Sequence, residues 1–111
     1  MANTFKNAAI SATGTTLTDA YTAGSGVTAT VIGLTCANVS STSPILVTIK
    51  FYDASANNTF HIVKDAQIFT GGALVAVGGD QKLVLETGDK IKVVSNTAAS
   101  IDTIVSVMEQ S

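Results

Sequence analysis

The amino-acid sequence predicts an all-β domain, an antiparallel β-sandwich of Greek-key or jelly-roll type with about eight strands. Short runs rich in Val, Ile and Thr recur at intervals of roughly ten residues and are separated by Gly, Ser and Asn. The chain of 111 residues contains one proline and no run with the periodicity of an amphipathic helix. A small β-barrel is the alternative, because a closed sheet and two stacked sheets both place alternate residues inside.

The chain is predicted to begin with an extended arm. Phe5 and Ile10 are the sizeable apolar side chains of residues 1–14, and this segment has no evident strand partner. A terminal segment of this kind is a candidate for ordering against a neighbouring molecule. Residues 15–111 are expected to form a single β-sandwich domain around one core.

The predicted strands share an alternation of apolar and polar residues. They cover residues 15–22, 27–38, 45–53, 59–64, 67–70, 73–77, 82–86, 90–96 and 101–109. The clearest is the run from Ile45 to Asp53, which the Asn-containing turn at 54–58 returns into the next strand as a hairpin. In the run 27–38, Gly33 predicts a bulge or a close backbone approach.

Residues 82–96 are predicted to form a second β-hairpin. Their apolar positions alternate with Lys, Val and Glu on both sides of Thr87-Gly88-Asp89. The residues predicted to share the buried face are Leu83, Leu85, Ile91 and Val93. Gly88 is expected to adopt the positive φ that a short loop needs, which makes it a structurally demanding position.

The composition favours association with other chains. Charged residues make up 13% of the sequence, and the net charge is −2. Several strands carry apolar residues on both faces, although a monomeric two-layer sandwich buries only one face of each sheet. The candidate oligomer or particle contacts are Phe5, Leu46, Val84, Val94 and Ile104. A homo-oligomer is therefore predicted.

The same composition argues against two other kinds of partner. The sequence has no Arg, and its six Lys are scattered without a visible stripe, so nucleic-acid binding is not predicted. The uncharged stretch 20–49 is interrupted by Gly, Ser and Pro, so no membrane partner is predicted. The first residues lack the apolar run of a signal peptide, which predicts synthesis in a cytoplasm.

No catalytic, cofactor-binding or metal-binding constellation is found in the sequence. Four aspartates are explained by turn preference: Asp53, Asp65, Asp80 and Asp89. The single Cys36 is expected to be a buried thiol, and the single His61 is expected to point away from the core. We therefore predict that the protein is not an enzyme and has no cofactor.

A carbohydrate-binding module is an alternative of a different class, because many such modules are β-sandwiches of this length. Sugar recognition relies on exposed aromatic platforms. The sequence has no Trp, and its only tyrosines are Tyr21 and Tyr52, which are expected to be core-edge residues with solvated hydroxyls. Two exposed, coplanar tyrosine rings on one face would favour the carbohydrate reading.

Three segments resemble the small β-sandwich virion proteins of tailed bacteriophages, especially those of marine and cyanobacterial hosts. They are LTDAYTAGSGVTATVIGLTCANVSS, ILVTIKFYDASANNTFHIVKDAQI and GGALVAVGGDQKLVLETGDKIKVVSNTAASIDTIVSVMEQS. The resemblance covers roughly residues 17–109 and implies a structural role in the virion, as a capsid decoration (cement) protein or as a tail or neck component. Cement proteins of this kind typically form trimers on the capsid and grip it with a terminal arm. The implied partners are further copies of the chain, with a trimer favoured, and the major capsid protein or other virion proteins.

Overall fold

The computed structural model describes residues 3–40, 43–78 and 82–111, and these residues form nine β-strands. The strands are β1 (Asn3–Thr13), β2 (Thr18–Thr22), β3 (Thr28–Asn38), β4 (Ile45–Asp53), β5 (Asn58–Ile68), β6 (Ala73–Val77), β7 (Leu83–Leu85), β8 (Lys90–Ser95) and β9 (Ile101–Gln110). The predicted turn at Asp80 lies outside the described residues. The described part of the chain has no helix that is long and apolar enough to cross a membrane.

The strands form two packed antiparallel sheets. Sheet A has the order β1-β9-β3, and both β6 and β7 pair with the remaining edge of β3. Sheet B has the order β2-β8-β4-β5. The pairs are nested along the chain, because β1 pairs with β9, β2 with β8, β3 with β6 and β7, and β4 with β5. This is the jelly-roll form of the predicted sandwich, with one strand position shared by β6 and β7.

The core lies between the sheets and is filled by alternate residues of both. In β9, for example, Ile101, Val105 and Val107 are fully buried, as their spacing predicts. The other large, fully buried aliphatic side chains are Val31, Leu34, Ile45, Val47, Ile49, Leu85, Ile91 and Val93. Each such side chain contributes about 1.5 to 3 kcal/mol by leaving water. The core therefore fixes which face of every strand points inward.

The predicted hairpin at residues 82–96 is wrong. Strand β7 pairs with β3 in sheet A, whereas β8 pairs with β2 and β4 in sheet B. The turn between them carries the chain from one sheet to the other. Leu85 and Ile91 are both fully buried, as predicted, but they belong to opposite layers of the core. Alternation identified Leu85, Ile91 and Val93 correctly as buried, whereas Leu83 is partly buried, and it left the strand partner undetermined.

Several smaller predictions are confirmed. Strands β4 and β5 pair as the predicted hairpin, with Asn57 at a φ of 49° in its turn. A register shift next to Gly33 in β3 is the predicted bulge. Asp65, in contrast, was predicted to lie at a chain reversal but lies inside β5. It has a φ of 50° at an irregularity in the pairing with β4, so a bulge accounts for the residue better than a turn.

The N-terminal segment has a strand partner in its own chain, contrary to the expectation from sequence. Strand β1 pairs with β9 from Asn3 to Ile10, and Thr13 lies opposite Ile101 after a break in register. It is an edge strand, and most of its side chains are exposed. A strand that polar residues dominate can pair through its backbone alone, which explains why the side-chain pattern did not reveal the partner.

Candidate functional site

The outer face of sheet A carries a row of apolar side chains across four strands. Cα register places Phe5 of β1 opposite Met108 of β9, Met108 opposite Thr30 of β3, and Thr30 opposite Val84 of β7. Directly paired residues in a sheet point to the same side, so all four side chains share one surface. Phe5 and Val84 are 73% and 55% exposed.

A second row runs parallel to the first, four residues earlier in β9. It contains Ala9 of β1, Ile104 of β9, Thr35 of β3 and Val75 of β6. Ile104 is 50% exposed and Val75 is 65% exposed. Sequence reasoning did not select Val75, because Val75 and Val77 are two residues apart and alternation alone places them on one face. A register shift between Leu34 and Thr35 in the pairing of β3 with β6 leaves Val77 buried and Val75 exposed.

We call this surface the apolar face. Its outward strand positions are Asn3, Phe5, Asn7, Ala9, Thr28, Thr30, Gly33, Thr35, Ala37, Ala73, Val75, Val84, Asp102, Ile104, Ser106, Met108 and Gln110. Asp102 is the single charged residue among these positions, and its Oδ1 accepts a hydrogen bond from the Ala12 amide at 2.8 Å. Asn7 and Ser106, whose side chains hydrogen-bond each other, lie between the two rows. Several large exposed apolar side chains on one surface with so little charge are typical of a site that contacts another protein.

The five candidate contact residues do not form one surface. Phe5, Val84 and Ile104 lie together on the apolar face. Leu46 and Val94 lie on the outer face of sheet B, where both are half-buried. The prediction that apolar residues occur on both sides of the strands is confirmed for these positions, and their role in an interface stays a prediction.

The outer face of sheet B carries a concentration of lysines. Register places Lys92 of β8 directly opposite Lys50 of β4, and Lys50 directly opposite His61 of β5. Lys90 is two residues from Lys92 and therefore points to the same side of the sheet. Lys64 follows Val63, which pairs with the buried Ile49, so the exposed Lys64 side chain points outward as well. We call this surface the lysine face. It gathers four of the six lysines of the sequence, which strand order alone could reveal.

Two aspartates lie on the lysine face. The Oδ1 of Asp19 accepts from the Lys92 ammonium at 2.8 Å and its Oδ2 from the Lys90 ammonium at 3.2 Å. The Lys92 hydrogen bond, followed by that from Lys90, lowers the pKa of the Asp19 carboxyl against the opposing effect of burial. Asp65 interacts with Thr48, whose Oγ1 accepts from the Asp65 amide at 3.1 Å. Neither aspartate reaches Lys50 or Lys64.

The turn that joins the two sheets is tied down by a buried carboxylate. Asp89 is 4% exposed, and its two oxygens accept the amides of Ala54 and Glu86, each at 2.9 Å. Gly88 has a φ of 89°, as predicted, and a Cβ at this position would lie 3.0 Å from the Cβ of Ala54. Both residues therefore fix the crossing between sheets.

Cys36 and His61, the two side chains most often used in catalysis or metal binding, are in different environments, one buried and one exposed. Cys36 is fully buried, as predicted, with its Sγ 3.5 Å from the Oγ1 of Thr103, and burial raises the pKa of its thiol. His61 is exposed, as predicted. In the described ranges, no group of three or more His, Cys, Asp and Glu residues is placed to hold a metal ion. A shallow depression beside Ile104 contains Asp102 as its one titratable side chain.

The two tyrosines do not form a sugar platform. Tyr21 is 6% exposed, and its hydroxyl donates to the Oε2 of Glu109, so it is more buried than the predicted core-edge position. Desolvation and the adjacent Glu109 carboxylate raise the pKa of the Tyr21 phenol well above its ordinary value. Tyr52 is half-buried, with Lys92 5.9 Å from the centre of its ring and its hydroxyl donating to Asn57. The two exposed, coplanar tyrosine rings that would favour a carbohydrate-binding module are therefore not found.

Comparison with known proteins shows similarity at the level of the fold. No family model matches the chain, and no curated protein matches it. Six chains of solved structures match. One belongs to the T13 viral particle of IBDV, an icosahedral virus, with a TM-score of 0.59 and 9% sequence identity over 96% of the present chain. The present chain spans 30% of the length of that viral chain.

A second similar structure comes from the endospore appendages of Bacillus, which form disulfide-linked pili. Its TM-score is 0.52 and its sequence identity 15%, and the match covers 98% of the present chain and 88% of the pilus chain. At these identities the two likenesses show that the β-sandwich fold is shared.

Proposed function

We propose that this protein is a non-enzymatic structural subunit of a bacteriophage particle, a capsid decoration or cement protein that self-associates through the apolar face and binds the shell. The observation that carries the proposal is the exposure of Phe5, Val75, Val84 and Ile104 on one nearly uncharged sheet surface. Each large apolar side chain buried in an interface would add about 1.5 to 3 kcal/mol before the costs of association. Copies of the same chain supply the matching apolar surface.

The fold supports the proposal at a coarser level. Jelly-roll sandwiches are a common architecture of viral capsid domains. Both similar structures are parts of assemblies, an icosahedral viral particle and a pilus. The assignment to a phage particle, the trimer and the shell as partner rest on the sequence resemblance to phage virion proteins.

We further propose that β1 is the arm of this subunit. It lies at the edge of sheet A, it contributes Phe5 to the apolar face, and most of its side chains are exposed. An edge strand presents unpaired backbone groups that can meet another chain. Because β1 belongs both to the apolar face and to the edge of sheet A, the two form one continuous contact region. This region would contact the capsid or a second copy of the chain.

A tail or neck component is the second candidate function. The observation that favours it is the match to the pilus protein, which covers 98% of this chain and 88% of the pilus chain, so the likeness extends over most of a protein that forms pili. The disulfide linkage of those pili has no counterpart in the described residues of this chain, because Cys36 is its one cysteine and is fully buried. A fibre built from this chain would therefore be held by non-covalent contacts.

Size-exclusion chromatography coupled to light scattering tests the proposal on the purified chain at micromolar concentration. A mass of three chains is the result expected of a cement protein. A ring of five or six chains, or an open polymer seen by electron microscopy, would transfer the protein to the tail or neck. A monomer that also fails to bind purified capsids would overturn the structural role.

A further inference from the structure

We infer that the lysine face is a second binding surface, and that its partner is an acidic surface on a protein other than this chain. The face carries Lys50, Lys64, Lys90 and Lys92 against two aspartates, a formal charge of +2. The remainder of the sequence holds two lysines against six acidic residues, a formal charge of −4. A protein of net charge −2 thus concentrates positive charge on one sheet surface.

Two lysines also lie opposite each other on the central strands of sheet B, which supports an external binding partner. Lys50 and Lys92 lie directly opposite each other, an arrangement that destabilises a sheet relative to an oppositely charged or neutral pair. Asp19 compensates Lys92 but does not contact Lys50. Among the described residues, the ammonium groups of Lys50 and Lys64 form no hydrogen bond or ion pair. Their ammonium groups are available to an external anion.

A second copy of the chain does not supply that anion well. Outside the lysine face, the described acidic groups are mostly engaged inside the chain. Asp53 accepts from Ser55, Asp89 from Ala54 and Glu86, Asp102 from Ala12, and Glu109 from Tyr21. Glu86 is the described acidic side chain that remains exposed without such a bond. Among the described residues, one such carboxylate does not match the two ammonium groups of Lys50 and Lys64, so the complementary partner is a different protein.

The same face argues for a protein rather than a nucleic acid. Leu46 and Val94 lie next to Thr48 at the other end of the lysine face, so the charged group adjoins an apolar one. Four residue steps along β4 separate Leu46 from Lys50, about 13 Å. Tyr52 is the larger ring on the face, and it is occupied by Lys92 while its hydroxyl bonds Asn57. The imidazole of His61 is therefore the one exposed ring among the described residues of the face, whereas single-stranded nucleic acids are held by several stacking rings. A protein surface with an apolar group beside carboxylates complements both the lysines and the apolar pair Leu46 and Val94.

The test measures binding of the full chain to poly-L-glutamate, with oligothymidylate and duplex DNA as competing polyanions, by fluorescence anisotropy at low salt. We expect binding to poly-L-glutamate that weakens as salt rises, because the contacts are ionic. Lys50→Gln should weaken it by about twofold to fivefold, the range for a partly exposed ion pair, and the double variant with Lys92→Gln by more. Lys50→Gln should leave the melting temperature unchanged or higher, since it removes the opposed charge.

The matched control is Lys6→Gln, which removes the same charge from sheet A, where Lys6 pairs with Glu109 at 3.6 Å. Equal losses of binding for Lys6→Gln and Lys50→Gln would overturn the inference, because they would show a response to net charge alone. Tighter binding to either nucleic acid than to poly-L-glutamate would also overturn it. Binding by a monomeric chain would support the lysine face even if self-association through the apolar face failed, so the two proposals fail separately.

Discussion

The two outer faces of this sandwich have opposite chemistry although the same alternation of residues builds both. Sheet A presents Phe5, Val75 and Ile104 with one charged neighbour, Asp102. Sheet B presents a group of four lysines with Asp19 and Asp65. Inward positions on both sheets are constrained by the shared core, whereas outward positions are free of that constraint. The two faces are therefore free to differ in composition, and the proposals above assign a different partner to each.

Neither face is explained by the stability of the isolated chain. Exposed Phe and Val side chains gain little from folding, because they remain in water. The opposed Lys50 and Lys92 contribute a small destabilisation. The core of aliphatic side chains stabilises the domain without either feature. Variants that change one face and leave the core and the other face intact therefore test the two faces separately.

Deletion of residues 1–12 is expected to have the largest effect, because it removes both Phe5 and the strand that covers the edge of β9. We expect loss of self-association and of capsid binding, with a melting temperature lowered by several degrees, since Ala8 and Ile10 are only partly buried. Light scattering and circular dichroism measure the two effects. Complete unfolding of the truncated chain would show that β1 is a core element and would remove the arm proposal.

Substitution on the apolar face without loss of a strand should act on assembly alone. The triple variant Phe5→Ser, Val75→Thr and Ile104→Thr changes side chains that are at least half exposed. We expect its association to weaken by about a hundredfold, the sum of three contacts of roughly 1 kcal/mol each, with an unchanged melting temperature. The matched control is Leu46→Thr with Val94→Thr on sheet B. An oligomer that persists in the triple variant but is lost in the control would show that self-association uses sheet B, contrary to the proposal.

The relation between the two faces depends on the turn that crosses from sheet A to sheet B. Gly88→Val should destabilise the fold by about 1 to 3 kcal/mol from the positive φ, and by more from the 3.0 Å approach to the Ala54 Cβ. Gly26→Val is the matched control, because Gly26 has a φ of 73° but no atom within 4 Å of its Cβ position. Gly88→Val should have a lower melting temperature than Gly26→Val. Equal melting temperatures would show that Ala54 moves aside without a measurable loss of stability.

The crossing turn also shows why the sequence predicts the layers better than the pairing. Leu85 and Ile91 are fully buried, as their alternation indicates, and Gly88 adopts the predicted φ. Both features are local and are read from neighbouring residues. Whether β7 and β8 lie side by side or face each other across the core is decided by β3 and β4, which are distant in the chain. Local alternation is compatible with either arrangement.

The same distinction applies to the candidate surfaces. Phe5 is a predicted contact because it is a large apolar residue of the N-terminal segment, and Val84 and Ile104 are predicted contacts because they are apolar residues on the second face of their strands. The register of β1, β9, β3 and β7 places all three on one face. Leu46 and Val94 were selected by the same criterion but lie on the other sheet. The lysines look scattered because neighbours in sheet B are up to some seventy residues apart in the chain, as Asp19 and Lys92 show. Spacing along a strand is local, whereas strand order is not.

The smallest expected effect comes from Asp19, the aspartate that contacts two lysines on the lysine face. Its folded-state pKa lies below the ordinary value of 3.8, so its charge stabilises the fold above that value, and this contribution is lost as the pH falls through the folded pKa. Asp19→Asn should therefore lower the free energy of unfolding at pH 7 by less than about 1 kcal/mol, because the pair is partly exposed, and the difference should shrink as the pH falls below 3.8.

Binding gives the more informative readout of the same variant. Loss of Asp19 raises the formal charge of the lysine face by one unit and frees the ammonium groups of Lys90 and Lys92. Poly-L-glutamate should therefore bind Asp19→Asn more tightly, whereas Asp53→Asn, which removes the same charge from a turn bonded to Ser55, should bind as the unmodified chain does. Urea titration and fluorescence anisotropy measure the two quantities on one sample. A gain of equal size for both variants would mean that the probe senses net charge, and the contrast between the two faces would then carry no specificity.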